Sequence, residues 1–243
     1  MHLDLPLLTA IMIDFSRMVR WIPTFLEGTG VTVALSLITV ALGSLLGLFV
    51  VLLRRSHLSW LSMLAKFYTL FIRGTPLLLQ LYIWLYGLPK IGITVPALPI
   101  SSTLFGTREF STAIVALGIN SSAYVAEILR GGLEAIDKGQ TEAARSLGLS
   151  SKQTMQHIII PQAVRVVLPG LGNEFIQMIK ESSIVSTVGI FDVMYTSNIV
   201  KAATFAVFEP LIIVAAIYLV ITSILTFLQR KLERKLNVDL KGS

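Results

Sequence analysis

The 243-residue chain is 54% apolar and 14% charged, with a mean hydropathy of +0.77, which excludes an ordinary soluble domain and describes a polytopic membrane protein. Its formal charge of +6 is dispersed along the chain rather than gathered in a basic domain, so it reports membrane topology and not nucleic-acid binding. The lack of cysteine excludes disulfides, thiolate metal sites and cysteine nucleophiles, and His2, His57 and His157 stand in no metal-ligand spacing.

In chain order, Met1 to Ala10 has no basic n-region and carries Asp4, unlike a signal peptide. Leu7, Leu8, Ile11, Met12, Phe15, Met18, Val19 and Ile22 recur at helical spacing beside Asp14, Arg17 and Trp21, the pattern of an interfacial helix within residues 1–28. Pro23 and Glu27-Gly28 are expected to turn the chain into a first span, Thr29 to Leu53, with Thr29 as its cap. Gly43 and Gly47 in that span have the G-x-x-x-G spacing of a helix-packing face. A second window, Leu61 to Tyr86, is apolar apart from Lys66 and Arg73. Pro76 removes a donor and disfavours helix at Thr75, so this window should break there. Phe110 to Leu129 is a third span.

The stretch TEAARSLGLSSKQTMQHIIIP, Thr141 to Pro161, interrupts this apolar pattern. Thr141 to Leu147 holds good helix formers, and Gly148 supplies a left-handed stop. Ser150 three residues before Gln153 is a capping box that starts a second short helix, with Met155, Ile158 and Ile159 on one stripe. Pro161 either closes that helix or opens the next. Ala143 and Ala144 form a small-residue face suited to close approach by another protein, or else the stretch folds over the chain's own core. Gln162 to Val200 is long and polar in places, and reads as a helix, a break at Lys180-Glu181-Ser182-Ser183 and a second short helix. Val207 to Leu228 is the last span. The fold class is therefore an all-α membrane protein with about five transmembrane helices in residues 29–232, a polar loop over about 131–161 and a C-terminal tail at 233–243.

With the N-terminus outside, one side of the membrane holds Arg54, Arg55, Lys66, Arg130, Lys138, Arg145, Lys152, Arg165 and the cluster from Arg230 to Lys241. The other holds Arg17, Arg20, Lys90, Arg108 and Lys201. The positive-inside rule puts the richer side, with the 131–161 loop and the C-terminus, in the cytoplasm.

Glu142-Ala143-Ala144, three residues, Gly148, nine residues, Ile158, and then Pro161 resemble the EAA loop of bacterial ATP-binding-cassette importer permeases, with Ile160 where the family often has leucine. IRGTPLLLQL at Ile72 to Leu81, GINSSAYVAEILRGGLEAIDKGQTEAARSLG at Gly118 to Gly148 and KESSIVSTVG at Lys180 to Gly189 look like the polar amino-acid subfamily. The resemblance covers about Gly28 to Leu232. It implies a bacterial plasma-membrane permease that pairs with a second copy or a homologous permease. It also implies two cytoplasmic ATPase subunits that bind ATP and Mg and take up the loop, and an extracellular solute-binding protein. No G-x-x-x-x-G-K-[ST] phosphate loop occurs in this chain, so ATP hydrolysis is expected from the partner and the chain itself is not an enzyme.

Charged groups within spans are costly and therefore candidate sites. Thr75 as cap and Pro76 as first-turn residue would start a half-helix whose free N–H groups, beside Arg73, form a carboxylate site. A kink with Arg73 paired to a glutamate of another span is the alternative. Glu127, Glu174 and Glu181 are candidate acceptors for a substrate ammonium, with Gln80, Asn120, Ser121 and Ser122 completing hydrogen bonds and Lys180 to Ser183 as gate or pocket wall. A competing function is an intramembrane hydrolase with Ser183 or Ser186 as nucleophile and Lys180 as base.

Overall fold

The computed structural model describes residues 15–99, 102 and 104–236. Residues 1–14 of the expected interfacial helix and 237–243 of the tail lie outside them. A 3-10 turn, Ser16–Trp21, runs directly into α1, Ile22–Arg54. Pro23 sits in the first turn of α1, where its missing N–H has no helical partner to lose. The expected turn at Glu27-Gly28 is therefore absent. Thr29 is not a cap but lies inside α1, donating its hydroxyl to the Phe25 carbonyl at 2.7 Å. Gly28 serves packing instead, since a Cβ there would stand 2.4 Å from Thr196 Oγ1.

α2, Ser59–Gly74, and α3, Leu77–Tyr82, are separated at Thr75-Pro76, as the sequence predicts; α3 continues through a π turn and a 3-10 turn to Ile91. α4, Arg108–Glu134, is capped by Thr107, whose Oγ1 accepts from Phe110 N at 3.1 Å. The polar loop holds α5, Lys138–Ser146, and α6, Ser151–Thr154. A π turn, Met155–Ile159, then joins α7, Ile160–Glu181, which passes into a 3-10 helix, Ser182–Val188. α8, Val193–Thr204, and α9, Phe208–Lys235, complete the described residues.

Among the described residues, three stretches are long and apolar enough to cross a membrane: Ser16–Arg54, Arg108–Glu134 and Phe208–Lys235. The pair Ser151–Val188 and Val193–Thr204, bent by 45°, makes a fourth if counted as one broken span. The second sequence window divides at Pro76 into pieces that are each too short by this measure.

α1 and α4 lie against each other over most of their lengths because both present small residues. A Cβ on Gly43 would stand 2.8 Å from Ser121 Cβ, and one on Gly47 2.8 Å from Val125 Cγ1. The G-x-x-x-G face thus lets two backbones approach closely. Around this seam Leu35, Val40, Leu81, Phe110, Leu117 and Met178 form the main core.

The break after α7 comes later than expected. From Ser182 the helix tightens rather than stops, because Ser182, Ser183, Ser186 and Thr187 each donate a hydroxyl to the carbonyl three residues back. The chain turns at Gly189, in the left-handed region at φ 81°, and restarts at Asp192, whose Oδ1 accepts from Tyr195 N at 2.6 Å.

Candidate functional site

The glycine turn and the capping box of the polar loop form as the sequence predicts, but α5 starts earlier, at Lys138, and the second helix does not stand alone, running through the π turn into α7. Three specific devices build the loop. Asp137 Oδ1 accepts from Gly139 N at 2.7 Å and starts α5. Gly148, at φ 84°, lets Gly148 N and Leu149 N close on Arg145 O and Ala144 O at 3.0 and 3.1 Å. Ser150 and Gln153 complete the capping box, with Gln153 N donating to Ser150 Oγ and Ser150 N to Gln153 Oε1. Pro161 lies in the first turn of α7, so it opens the next helix rather than closing the last. The small-residue face is divided: Ala144 is buried and packs inward, while Glu142 and Ala143 point outward. Ile158 is half-buried. The apolar group offered to solvent is Leu147, 81% exposed, which sequence reading did not single out.

At the α2–α3 break the proline removes an N–H that Ile72 O would otherwise accept. Gln80 replaces it: Nε2 donates to Ile72 O at 2.7 Å, Thr75 O at 3.1 Å and Thr75 Oγ1 at 2.8 Å. Its Oε1 accepts from Asn120 Nδ2 at 3.1 Å, which fixes the break against α4. Thr75 is not the cap of a half-helix. Its hydroxyl turns back to Phe71 O at 3.0 Å, Pro76 holds the cap position, and Gln80 and Asn120 are buried on these partners.

The intramembrane glutamates fall into two environments. Glu127 carries three arginines: Arg54 Nη1 at 2.5 Å, Arg130 Nη2 at 2.7 Å and Arg73 Nη1 at 3.9 Å. Arg73 also stands 5.3 Å from the Tyr124 ring centroid, a cation–π distance. Its side chain remains 45% exposed and, with Thr69, Gly74 and Glu127, lines a cavity of about 390 Å³.

Glu174 is different. It is 7% exposed, accepts from Ser121 Oγ at 2.6 Å, and among the described residues has no ion-pair partner. It lines a cavity of about 300 Å³ together with Tyr124, Asn173, Gln177 and Glu181, and Glu181 is held by Gln177 Nε2 at 2.8 Å. Sequence reading named Glu174, Ser121 and Glu181 but missed Tyr124, Asn173 and Gln177. The i, i+3 and i+4 spacing of Tyr124 to Glu127 and of Asn173, Gln177 and Glu181 would have put each set on one helix face. Ser182 lies apart from both cavities, buried with its hydroxyl on Ile179 O and against Ser36 Oγ at 3.3 Å. Ser122 bonds to Tyr68 at 2.6 Å.

The hydrolase arrangement is not formed. Ser183 donates to Lys180 O and Ser186 to Ser183 O, each at 2.7 Å, so both hydroxyls are spent on backbone carbonyls, and among the described residues neither bonds to the exposed Lys180 amine.

The chain is similar over most of its length to known transport permeases. The arginine transport system permease protein ArtQ of Bacillus subtilis (strain 168) is 41% identical over 224 residues, 92% of this chain and 97% of that protein. The probable glutamine ABC transporter permease protein GlnM of the same organism is 38% identical over 214 residues, 86% of this chain and 94% of that one. Among solved structures, a chain of an amino acid ABC transporter crystallised with histidines superposes with a TM-score of 0.85 at 44% identity, covering 93% of this chain and all of that one. An inward-facing MetNI methionine transporter shares the fold, with a TM-score of 0.72 at 15% identity and 90% of this chain covered. The pattern described as "binding-protein-dependent transport system inner membrane component" matches residues 39–238, and the chain belongs to that family of importer permease subunits.

Proposed function

We propose that this permease carries amino acids with a cationic group across the membrane, binding them between Arg73 and the Glu174 cavity. The observation that carries the reading is Glu174, a buried carboxylate on a cavity wall with no ion-pair partner among the described residues. A buried charge calls for a partner, and a substrate ammonium or guanidinium supplies one. Arg73, only loosely engaged by Glu127 and half-exposed, remains available to a substrate carboxylate, and the Tyr124 ring stands between the two ends. Similarity to an arginine transport permease and to a transporter crystallised with histidines favours a cationic amino acid.

In this reading two permeases, copies or homologues, assemble with two cytoplasmic ATPase subunits that bind ATP and Mg, and an extracellular binding protein delivers the solute. The N-terminus is outside and the C-terminus cytoplasmic. Glu142, Ala143 and Leu147 face the ATPase. Closure of the ATPases on ATP moves the rigid α5–α6 loop, and the π turn transmits that movement to α7, which carries Glu174.

The test is ATP-dependent uptake of a panel of radiolabelled amino acids by the reconstituted complex, with Glu174→Gln beside wild type. Arginine, lysine or histidine should be taken up, and the substitution should weaken apparent affinity by about 1.5 to 3 kcal/mol, the range for a lost charged hydrogen bond. Uptake confined to neutral amino acids, or unchanged affinity in the variant, would refute the assignment.

A further inference from the structure

The last turn of α1, the first turns of α2 and the last turn of α4 enclose a cavity of about 440 Å³ at the end of the bundle that carries the polar loop. Its polar lining is Arg54, Arg55, Ser62, Lys66, Arg130 and Glu134. Arg54 is taken by Glu127 and Arg130 by Glu127 and Glu134. Arg55 and Lys66 enter no ion pair with any described residue. Four cations thus meet two carboxylates, and two positive charges are left uncompensated.

The back of the cavity is apolar, formed by Val51 and Leu133. Beside its mouth, α2 turns Trp60, Met63, Leu64 and Phe67 outward, between 53% and 68% exposed. This apolar apron ends in a tryptophan, the residue that settles at headgroup level. The cavity shares no lining residue with the Glu174 cavity, while Arg54 and Lys66 also line the neighbouring cavity beside Arg73.

We infer that this cavity binds a phosphate-bearing anion, the headgroup of an anionic phospholipid whose chains lie along α2. Basic pockets between helices at the cytoplasmic surface are held to such headgroups by about 1 kcal/mol per lysine or arginine. Ser62 presents the only lining hydroxyl; in this structure it donates to Arg54 O at 2.9 Å. Inorganic phosphate has the same charged group, but it would have no use for the apron.

The permease assembled with its ATPase subunits, in phosphatidylcholine vesicles doped with spin-labelled phosphatidylglycerol, provides the test. Arg55→Gln and Lys66→Gln replace exposed cations that enter no ion pair with any described residue, so the fold should survive them. Each should lower the preference for labelled phosphatidylglycerol over labelled phosphatidylcholine roughly fivefold. Lys231→Gln, at the same end of the bundle on α9 but away from the cavity, should leave it within twofold. Displacement of the labelled lipid by millimolar inorganic phosphate would mean that the site reads the phosphate group alone; resistance to it would mean that the lipid is held as a lipid. The inference is overturned if the double variant keeps the wild-type preference, or if Lys231→Gln lowers it as far as the cavity substitutions do.

Discussion

Replacing Gln80 with leucine tests how the chain tolerates a broken helix inside a membrane. The side chain is 6% exposed, and its amide serves both sides of the break. Leucine of similar size would leave the Ile72 carbonyl and the Asn120 amide without their partners. Each buried orphan costs about 1 to 3 kcal/mol, so the substitution should destabilise the permease by about 2 to 6 kcal/mol. Half of that cost traces to the donor removed by Pro76. Pro76→Ala restores the N–H and removes the ring clash, so α2 can run on and satisfy Ile72 O by itself. In that background Gln80→Leu should cost only about 1 to 3 kcal/mol, the share belonging to Asn120. The assay is a double-mutant cycle of reversible unfolding in mixed micelles. Equal costs for Gln80→Leu in the two backgrounds would refute the role assigned to Gln80.

Two further pairs of substitutions probe the packing and the loop. Gly28→Ala should destabilise the fold by about 1 to 3 kcal/mol, since its Cβ meets Thr196 Oγ1 at 2.4 Å and Asp192 O at 2.8 Å. Gly30→Ala, with nothing within 4 Å, should be neutral or stabilising by up to about 1 kcal/mol in the same thermal unfolding measurement. Gly148→Val forces a branched residue to φ 84°, costs about 1 to 2 kcal/mol locally, and should raise the ATP hydrolysed per solute taken up by proteoliposomes. Gly148→Asn, which tolerates that conformation, should retain most of the coupling, and equal behaviour of the two variants would count against a conformational role for the glycine.

How much was legible depended on whether the signal was local. The loop could be read in detail because its capping box, its left-handed glycine and its helix formers act within a few residues of one another. Pro76 was equally plain, since a missing N–H is a property of the residue itself. The start of α1 was misread for a related reason: Pro23 and Gly28 both suit a turn, but proline is also at home in a first helical turn, and Gly28 faces Thr196 on a helix far along the chain. The break after α7 is expected too early because the window from Gln162 to Val200 is long and polar in places, while the serine and threonine hydroxyls that sustain a 3-10 helix there do so through their own backbone carbonyls.

The sequence by itself determined the membrane class, the break at Thr75-Pro76, the glycine faces and the loop, because hydropathy, proline chemistry and capping depend on neighbours in the chain. Only the tertiary structure decided which charges are spent and which are free. Glu127 and Glu174 look alike in sequence in that both lie on largely apolar helices. Helix spacing alone puts Arg130 beside Glu127, but packing brings Arg54 and Arg73 to it and a serine hydroxyl to Glu174. Coulomb energy depends on distance, and the distances between these groups are set by how α1, α2, α4 and α7 cross.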